Sequence, residues 1–125
     1  MNGIDVLKKA SGIIHSGGLA IGRGFDGKGY SLSAALVEAA YEGPSRDRRW
    51  DADAYLQARQ WLSGALGIGN SYDAIADWND SFKTSKDGKQ VFTKTVRDAT
   101  SALNKAISNG QNYLDGIFDE TSSNK

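Results

Sequence analysis

The chain has 125 residues and a mass of 13.4 kDa, with fifteen basic side chains, fifteen acidic side chains and no cysteine. Its length suits a single domain, and its balanced charge argues against a protein that binds nucleic acid or anionic lipid over a uniformly basic surface. The lack of cysteine excludes a disulfide framework, and the single histidine, His15, excludes a multi-histidine metal centre within one chain.

The N-terminal segment predicts a first helix from about Ile4 to His15. Apolar side chains recur there at steps of three and four residues, which places them on one face of a helix. Asn2 is the expected N-cap, because its side chain accepts hydrogen bonds from first-turn amides. Gly17 and Gly18 are expected to end the helix, since glycine adopts left-handed conformations without a Cβ clash.

Residues 19–31 predict a small glycine-rich β-hairpin or a twisted loop. The segment contains four glycines and the turn pair Asp26-Gly27, which is typical of hairpin tips. Gly22–Gly27 also spells the dinucleotide pattern G-x-G-x-x-G, but that chemistry needs a helix that opens at the turn. Lys28–Tyr30 does not open a helix well, so we expect no Rossmann or phosphate-loop site.

Two cations of this glycine-rich segment, Arg23 and Lys28, form a candidate site for a small anionic, nucleotide-like ligand. A flexible glycine loop can bring such side chains onto an anion. A second basic, glycine-containing loop, Lys83–Lys89, would contribute Lys83 and Lys86 to the same ligand. A plain turn remains the favoured interpretation of the glycine-rich segment.

A second helix is predicted over Ala34–Glu42, with Ser31 or Ser33 as its cap and Gly43-Pro44 as its end. It is strongly apolar, so we expect it to be the central and most buried helix.

A third helix is predicted to continue through Leu66, with Asp51 or Asp53 as its cap and Gly67 near its end. A short fourth helix follows over Ser71–Asp80. Its three acids recur at steps of four and three residues, which stacks them on one helix face. A solvated or lysine-paired face is favoured there over a divalent-cation site, because no calcium-loop pattern accompanies the acids.

The C-terminal part predicts a basic loop over residues 81–89 and a long helix over Lys89–Ser108 that ends at Asn109-Gly110. An apolar stripe then either docks on the chain's own core or forms a homodimer contact. The stripe comprises Tyr113, Leu114, Ile117 and Phe118. The expected architecture is therefore mainly α: one domain of about five helices over residues 1–120, with a frayed tail at 121–125.

The polar loop between the second and third helices combines Arg46, Arg48 and Arg49 with Trp50. Guanidinium groups beside an aromatic plane are typical of sites for phosphate or single-stranded nucleic acid. Acidic residues flank these arginines in the sequence, so a solvated loop is the favoured interpretation.

Charge is distributed unevenly along the chain. Residues 50–80 hold one basic and five acidic groups, whereas residues 81–110 hold six basic and two acidic groups. We favour the interpretation that these two segments face each other. The alternative is a basic groove for a phosphate-bearing ligand.

One hexapeptide, Ile75–Asp80, reads Ile-Ala-Asp-Trp-Asn-Asp and carries a resemblance to a family. With the looser match over Ser31–Leu36, the chain resembles an uncharacterised family of small actinobacterial and actinophage proteins with an Ile-Ala-x-Trp-Asn-Asp signature. The family pattern has tryptophan where this chain has Leu19, cysteine at Ser31 and glycine at Ala34. The resemblance implies an α-rich domain and no particular activity.

Within the hexapeptide, Trp78, Asn79 and Asp80 have a structural interpretation that needs no ligand. Trp78 would anchor the short helix, Asn79 would take a left-handed turn conformation, and Asp80 would cap the following turn. The alternative is a ligand-facing role, with Trp78 as a stacking surface and its two neighbours as hydrogen-bonding groups.

The sequence offers no nucleophile–base pair, no evident pair of catalytic carboxylates and no metal-ligand set, so we expect a binding protein rather than an enzyme, without cofactor or metal. The favoured function is a small, phage-encoded cytoplasmic protein that acts by occupying a host protein. The alternatives are a binder of a nucleotide-like anion and a nucleic-acid-binding accessory protein. No apolar stretch approaches the length of a membrane span, and we expect no membrane partner.

Overall fold

The computed structural model describes residues 1–22, 24–44 and 46–123, with side chains in these ranges up to residue 116. Within this part of the chain, five α-helices and two pairs of short antiparallel strands form, which confirms the prediction of a mainly α chain. The elements are α1 (Gly3–Gly17), α2 (Leu32–Ala39), β1 (Tyr41–Glu42), β2 (Arg49–Trp50), α3 (Ala52–Leu66), α4 (Tyr72–Asn79), β3 (Phe82–Thr84), β4 (Gln90–Phe92) and α5 (Val96–Ser123).

The core lies where α1, α2, α3 and α5 meet. Large side chains fill it, and each fully buried leucine or isoleucine contributes about 1.5–3 kcal/mol. Small side chains between them let the helices approach closely. The buried leucines and isoleucines of this cluster are Leu7, Ile14, Leu32, Leu36, Leu62, Ile75 and Leu103, and the buried alanines are Ala10, Ala35, Ala39, Ala40, Ala54, Ala58, Ala99 and Ala106.

Three predicted N-caps form at Asn2, Ser31 and Asp51. Each side-chain oxygen accepts a hydrogen bond from the amide three residues later, at 3.0, 3.2 and 3.0 Å respectively. Such a cap stabilises a helix by about 0.5–2 kcal/mol. Glycines follow α1 and α3 as expected, with φ of +86° at Gly18 and +69° at Gly67.

The described residues of the glycine-rich segment, 19–22 and 24–31, form a loop, which is the second of the two forms that the sequence predicted, and they make no ladder of paired strands. The described residues make two isolated bridge pairs, Leu19 with Tyr30 and Phe25 with Tyr30. The pair Asp26-Gly27 does form a turn, in which Gly27 has a φ of +95°. A longer ladder does not develop because backbone groups of the loop are bonded elsewhere: the Gly22 amide donates to the Asp80 carboxylate at 2.8 Å.

The second helix ends at Ala39, whereas the sequence predicted that it would continue to Glu42. Carbonyl groups that a longer helix would use are taken by other donors. The indole Nε1–H of Trp50 donates to Val37 O at 3.1 Å, and the amide of Asp51 donates to Ala40 O at 2.9 Å. The chain therefore leaves the helix early and forms the β1–β2 pair.

Residues 82–92 form a β-hairpin where the sequence predicted a basic loop and the start of the last helix. The register pairs Phe82 with Phe92, Lys83 with Val91 and Thr84 with Gln90. Because the hairpin uses these residues, α5 begins at Val96 and not near Lys89.

The prediction that the last helix ends at Asn109-Gly110 is wrong, since α5 continues to Ser123. Gly110 is buried against α3: a Cβ built on it would lie 2.7 Å from Cε3 of Trp61. This glycine therefore serves the close approach of two helices and does not terminate one. Residues 121–123 of the predicted tail are helical, and residues 124–125 lie outside the described part of the chain.

Candidate functional site

Asn79 is fully buried, and its side chain joins three segments of the chain. Its Nδ2 donates to Ala20 O and to Asp80 Oδ1, both at 2.9 Å. Its Oδ1 accepts a hydrogen bond from the amide of Leu32 at 2.9 Å. The amide group is thus bonded on both sides within the protein, and it connects the end of α4 to the glycine-rich loop and to the start of α2.

Asn79 belongs to the last turn of α4, so the predicted left-handed conformation does not occur there. Asp80 follows it and does not cap the next turn. Its Oδ1 instead accepts a bond from the Gly22 amide at 2.8 Å, in addition to the bond from Asn79. Gly22 has a φ of +107°, a conformation that few other residues adopt. The hexapeptide that carries the resemblance therefore fixes the glycine-rich loop.

Trp78 packs against the core, which agrees with the anchoring role expected from the sequence. The ammonium of Lys94 lies 4.9 Å from the centre of its ring. One face of the indole is thus occupied by a cation of the chain itself.

The glycine-rich loop offers less to an external anion than the sequence suggested. Arg23 lies outside the described residues, and Lys28 is exposed at the turn. Asp26 Oδ1 accepts the amides of Gly29 at 2.8 Å and of Lys28 at 2.9 Å. The hydrogen bond from the Gly29 amide has the larger effect on this carboxyl. Together with the bond from the Lys28 amide, it lowers the pKa of Asp26 below its usual 3.8. The chain's own carboxylate already occupies these two amides.

The β3–β4 hairpin exposes large apolar side chains. Phe82, Val91 and Phe92 are 49%, 53% and 44% exposed, and the rings of the two phenylalanines lie edge to face with their centres 6.5 Å apart. Side chains alternate between the faces of a strand, so the register places Phe82 beside Phe92 on one face and Lys83 beside Val91 on the other.

Three exposed lysines accompany these apolar side chains: Lys83, Lys86 and Lys89. The hairpin contains one acidic residue, Asp87, which accepts a bond from the Ser85 hydroxyl and lies 4.0 Å from the ammonium of Lys89. The hairpin surface, defined as residues 82–92, is therefore both apolar and positively charged. Sequence reasoning identified the lysines but missed the paired aromatic rings.

The Arg46–Trp50 cluster is partly engaged in internal contacts. Arg48 donates to Glu38 at 2.7 Å, and its guanidinium lies 4.1 Å from the centre of the Tyr41 ring. Trp50 donates its indole N–H to a backbone carbonyl and packs on Tyr55 with ring centres 5.1 Å apart. Arg46 and Arg49 are exposed. Within the described residues, neither of their side chains makes a hydrogen bond, an ion pair or a ring contact.

Of the C-terminal stripe, Tyr113 is exposed and Leu114 is half-buried. Tyr113 contacts Trp61 with ring centres 6.3 Å apart. The side chains of Ile117 and Phe118 lie outside the described residues. Packing on the chain's own core stays the favoured prediction for this stripe, and a homodimer contact stays the alternative.

The described residues provide neither a cluster of metal ligands nor a membrane-spanning helix. No group of three or more histidine, aspartate or glutamate side chains comes close enough to hold a metal ion in that part of the chain. None of its helices is both long and apolar enough to cross a bilayer.

Comparison with protein families gives a match over most of the chain. The model of a family of unknown function, DUF6197, matches residues 2–109, a range that includes the Asn79 contacts and the whole β3–β4 hairpin. Neither the curated proteins nor the solved structures gave a match. Since the family model covers most of the sequence, this chain belongs to the DUF6197 family of proteins of unknown function.

Proposed function

We propose that this chain is a non-catalytic binding protein that docks its β3–β4 hairpin onto an acidic protein surface. The observation that carries the proposal is the exposure of Phe82 and Phe92 side by side on one face of a short hairpin. Contiguous exposed apolar side chains rimmed by polar ones are typical of interaction surfaces. Aromatic residues in particular are enriched at the centres of protein interfaces.

The base of the hairpin is held in place, which favours binding. The Thr93 amide donates to Ser81 O at 2.9 Å, and the Ser81 hydroxyl donates to Trp78 O at 2.6 Å. The chain therefore enters and leaves the hairpin at a point fixed to the end of α4. A surface that is already ordered loses less conformational entropy when a partner binds.

The charge of the hairpin defines the chemistry of its partner. Lys83, Lys86 and Lys89 outnumber the single Asp87, so an acidic surface is complementary and would speed the encounter. The two half-exposed rings would enter an apolar groove within that surface. Complete burial of each ring would contribute of the order of 1 kcal/mol.

Single-stranded nucleic acid is a second candidate partner, because bases stack on exposed aromatic rings while lysines contact phosphates. A nucleotide-like anion at Arg23 and Lys28 has less support, since the Asp26 carboxylate accepts two amides of that loop. The resemblance also leads us to propose an actinobacterial or actinophage source and a cytoplasmic host protein as the partner.

Site-specific photo-cross-linking tests the proposal. Benzoylphenylalanine is introduced at Phe82, at Phe92 or, as a matched control, at Leu56, which is 46% exposed on α3. After irradiation in an actinobacterial lysate, we expect the same acidic protein to be linked from both hairpin positions and not from Leu56. Cross-links to RNA or DNA alone would support the second candidate. Identical products from all three positions, or none from the hairpin, would contradict the proposal.

A further inference from the structure

A cleft between α3 and α5 lies apart from the hairpin and has no assigned role. Its volume is about 510 Å³, within the range of roughly 300–1,000 Å³ typical of small-molecule sites. The cleft is lined by Gln57, Gln60, Trp61, Gly64, Asn109 and Tyr113.

Among the described residues, the lining contains no charged side chain but many hydrogen-bonding groups. The Trp61 indole N–H, the Gln60 and Asn109 amides and the Tyr113 hydroxyl make no hydrogen bond within the described residues. Gln60, Asn109 and Tyr113 are exposed residues. The Trp61 N–H also reaches solvent, because no buried side-chain nitrogen or oxygen of the described, non-exposed residues lacks a partner. These groups are therefore available to a ligand.

Two of the lining side chains are held in fixed positions. Ideal Cβ atoms on Gly3 and Gly110 would lie 2.8 and 2.7 Å from the six-membered ring of Trp61, so the indole is clamped between α1 and α5. Gln57 Oε1 accepts the Gly3 amide at 2.8 Å, which leaves the Nε2 amino group of the same side chain as a donor. The cleft thus presents the indole N–H of a fixed Trp61 beside oriented amide groups.

We propose that this cleft binds a neutral, polyhydroxylated ligand, namely a pyranose ring of an oligosaccharide. The C–H face of a pyranose packs on an aromatic ring, and its adjacent hydroxyls match the donor and acceptor of a planar amide. The exposed ring of Tyr113 supplies this aromatic surface, and the Trp61 ring lies beside it with the two ring centres 6.3 Å apart. A phosphate-bearing ligand fits poorly because none of the described lining residues carries a positive charge.

A proline-rich peptide, which also docks on aromatic rings, is less well matched. Such peptides bind grooves lined mainly by aromatic side chains. The described lining residues of this cleft comprise one aromatic pair and three amide side chains. This composition suits the hydroxyl groups of a saccharide better than the apolar rings of a proline-rich peptide.

The test is a titration of the ¹⁵N-labelled protein with maltohexaose, cellohexaose, xylohexaose and chitohexaose, up to about 10 mM, which detects a Kd near 1 mM. We expect at least one saccharide to shift the indole N–H signal of Trp61 and not that of Trp78. Tyr113→Ala and Gln60→Ala should each weaken that binding about tenfold or more, whereas Tyr113→Phe should retain most of it.

Asn104→Ala is the matched control, since this exposed asparagine lies on α5 but is not among the residues that line the cleft. It should bind like the unaltered protein. Amide spectra of every variant show whether the fold is intact. Failure of all four saccharides to shift the Trp61 signal would overturn the proposal, as would equal affinity in the Tyr113→Ala and Gln60→Ala variants. Binding of a decaproline peptide in place of the saccharides would also overturn it.

Discussion

Asn79 and Leu32 are 47 positions apart in the chain, yet the side-chain Oδ1 of Asn79 accepts the backbone amide of Leu32 at 2.9 Å. The bond is buried, and it satisfies an amide in the first turn of α2 that no helical carbonyl reaches. The same side chain donates to Ala20 O on the glycine-rich loop. One polar residue thereby joins two helices and a loop.

Replacement of the Asn79 side chain should lower the free energy of unfolding more than replacement of an exposed asparagine. Asn79→Ala would leave the Leu32 amide and the Ala20 carbonyl buried without partners, which costs about 1–3 kcal/mol for each unsatisfied group. We expect the free energy of unfolding in urea to fall by at least this amount. Asn104→Ala, on the exposed face of α5, is the control and should change it by less than about 0.5 kcal/mol. Equal effects of the two variants would contradict the role of Asn79.

The position of Gly110 leads to a second prediction. Alanine normally favours a helix over glycine by about 1 kcal/mol. At Gly110, however, the added Cβ would lie 2.7–2.9 Å from three atoms of the Trp61 ring, so α3 and α5 would have to separate. We expect Gly110→Ala to destabilise the protein by about 1–3 kcal/mol.

Gly12→Ala is the matched control for this prediction. Gly12 also lies inside a helix, but a Cβ there would meet nothing within 4 Å. Its replacement should stabilise the protein by up to about 1 kcal/mol. Thermal unfolding of the two variants measures the difference, and a gain in stability from both would show that the helices are not in close contact at Gly110.

The N-terminus of α5 leads to a pH-dependent prediction. The Thr95 amide donates to Asp98 Oδ2 at 2.9 Å, and this bond, with that from the Thr95 hydroxyl, holds the pKa of the Asp98 carboxyl below its usual 3.8. A lowered pKa in the folded state means that the ionised form stabilises the fold. That contribution is present above pH 3.8 and is lost as the pH falls through the lower folded pKa.

We therefore expect Asp98→Asn to be less stable than the unaltered protein near neutral pH and to approach it in stability at strongly acidic pH. Urea unfolding at a series of pH values provides the measurement. Asp115→Asn, farther along α5, is the control and should show a smaller difference at neutral pH. If the difference in free energy of unfolding between Asp98→Asn and the unaltered protein stayed constant with pH, this result would contradict stabilisation by the ionised Asp98 carboxylate.

The C-terminal stripe leads to a prediction on oligomeric state. Tyr113 contacts Trp61 of the same chain, so we expect size-exclusion chromatography with light scattering to give the monomer mass of 13.4 kDa. A mass twice as large that reverts to the monomer in Tyr113→Ser would establish the homodimer instead.

Local chemistry explains which parts of the fold the sequence predicted. The caps at Asn2, Ser31 and Asp51 use bonds to amides three residues away, so their signals lie within one helical turn. The continuation of α5 through Gly110 depends on Trp61, which is distant in sequence. No local pattern distinguishes a glycine that ends a helix from one that admits a neighbouring ring.

The candidate site likewise combines features that the local sequence indicates with contacts between residues that are distant in sequence. The hexapeptide drew attention to Asn79 and Asp80, but their bonds to Leu32 and Gly22 could not be read from spacing along the chain. The β3–β4 hairpin, by contrast, could have been predicted from the local sequence. Its strands flank the turn pair Asp87-Gly88, in which Gly88 has a φ of +84°, and such pairs are typical of hairpins. The abundance of lysine suggested a loop instead.

The most direct test of the account compares three forms of the protein in affinity capture from an actinobacterial lysate. The forms are the unaltered chain, the double variant Phe82→Ser with Phe92→Ser, and Leu56→Ser as an exposed apolar control. Circular dichroism first establishes that all three are folded. We predict that an acidic protein is retained by the unaltered chain and by Leu56→Ser and is lost with the double variant. Undiminished retention by the double variant would contradict the claim that the hairpin is the binding surface.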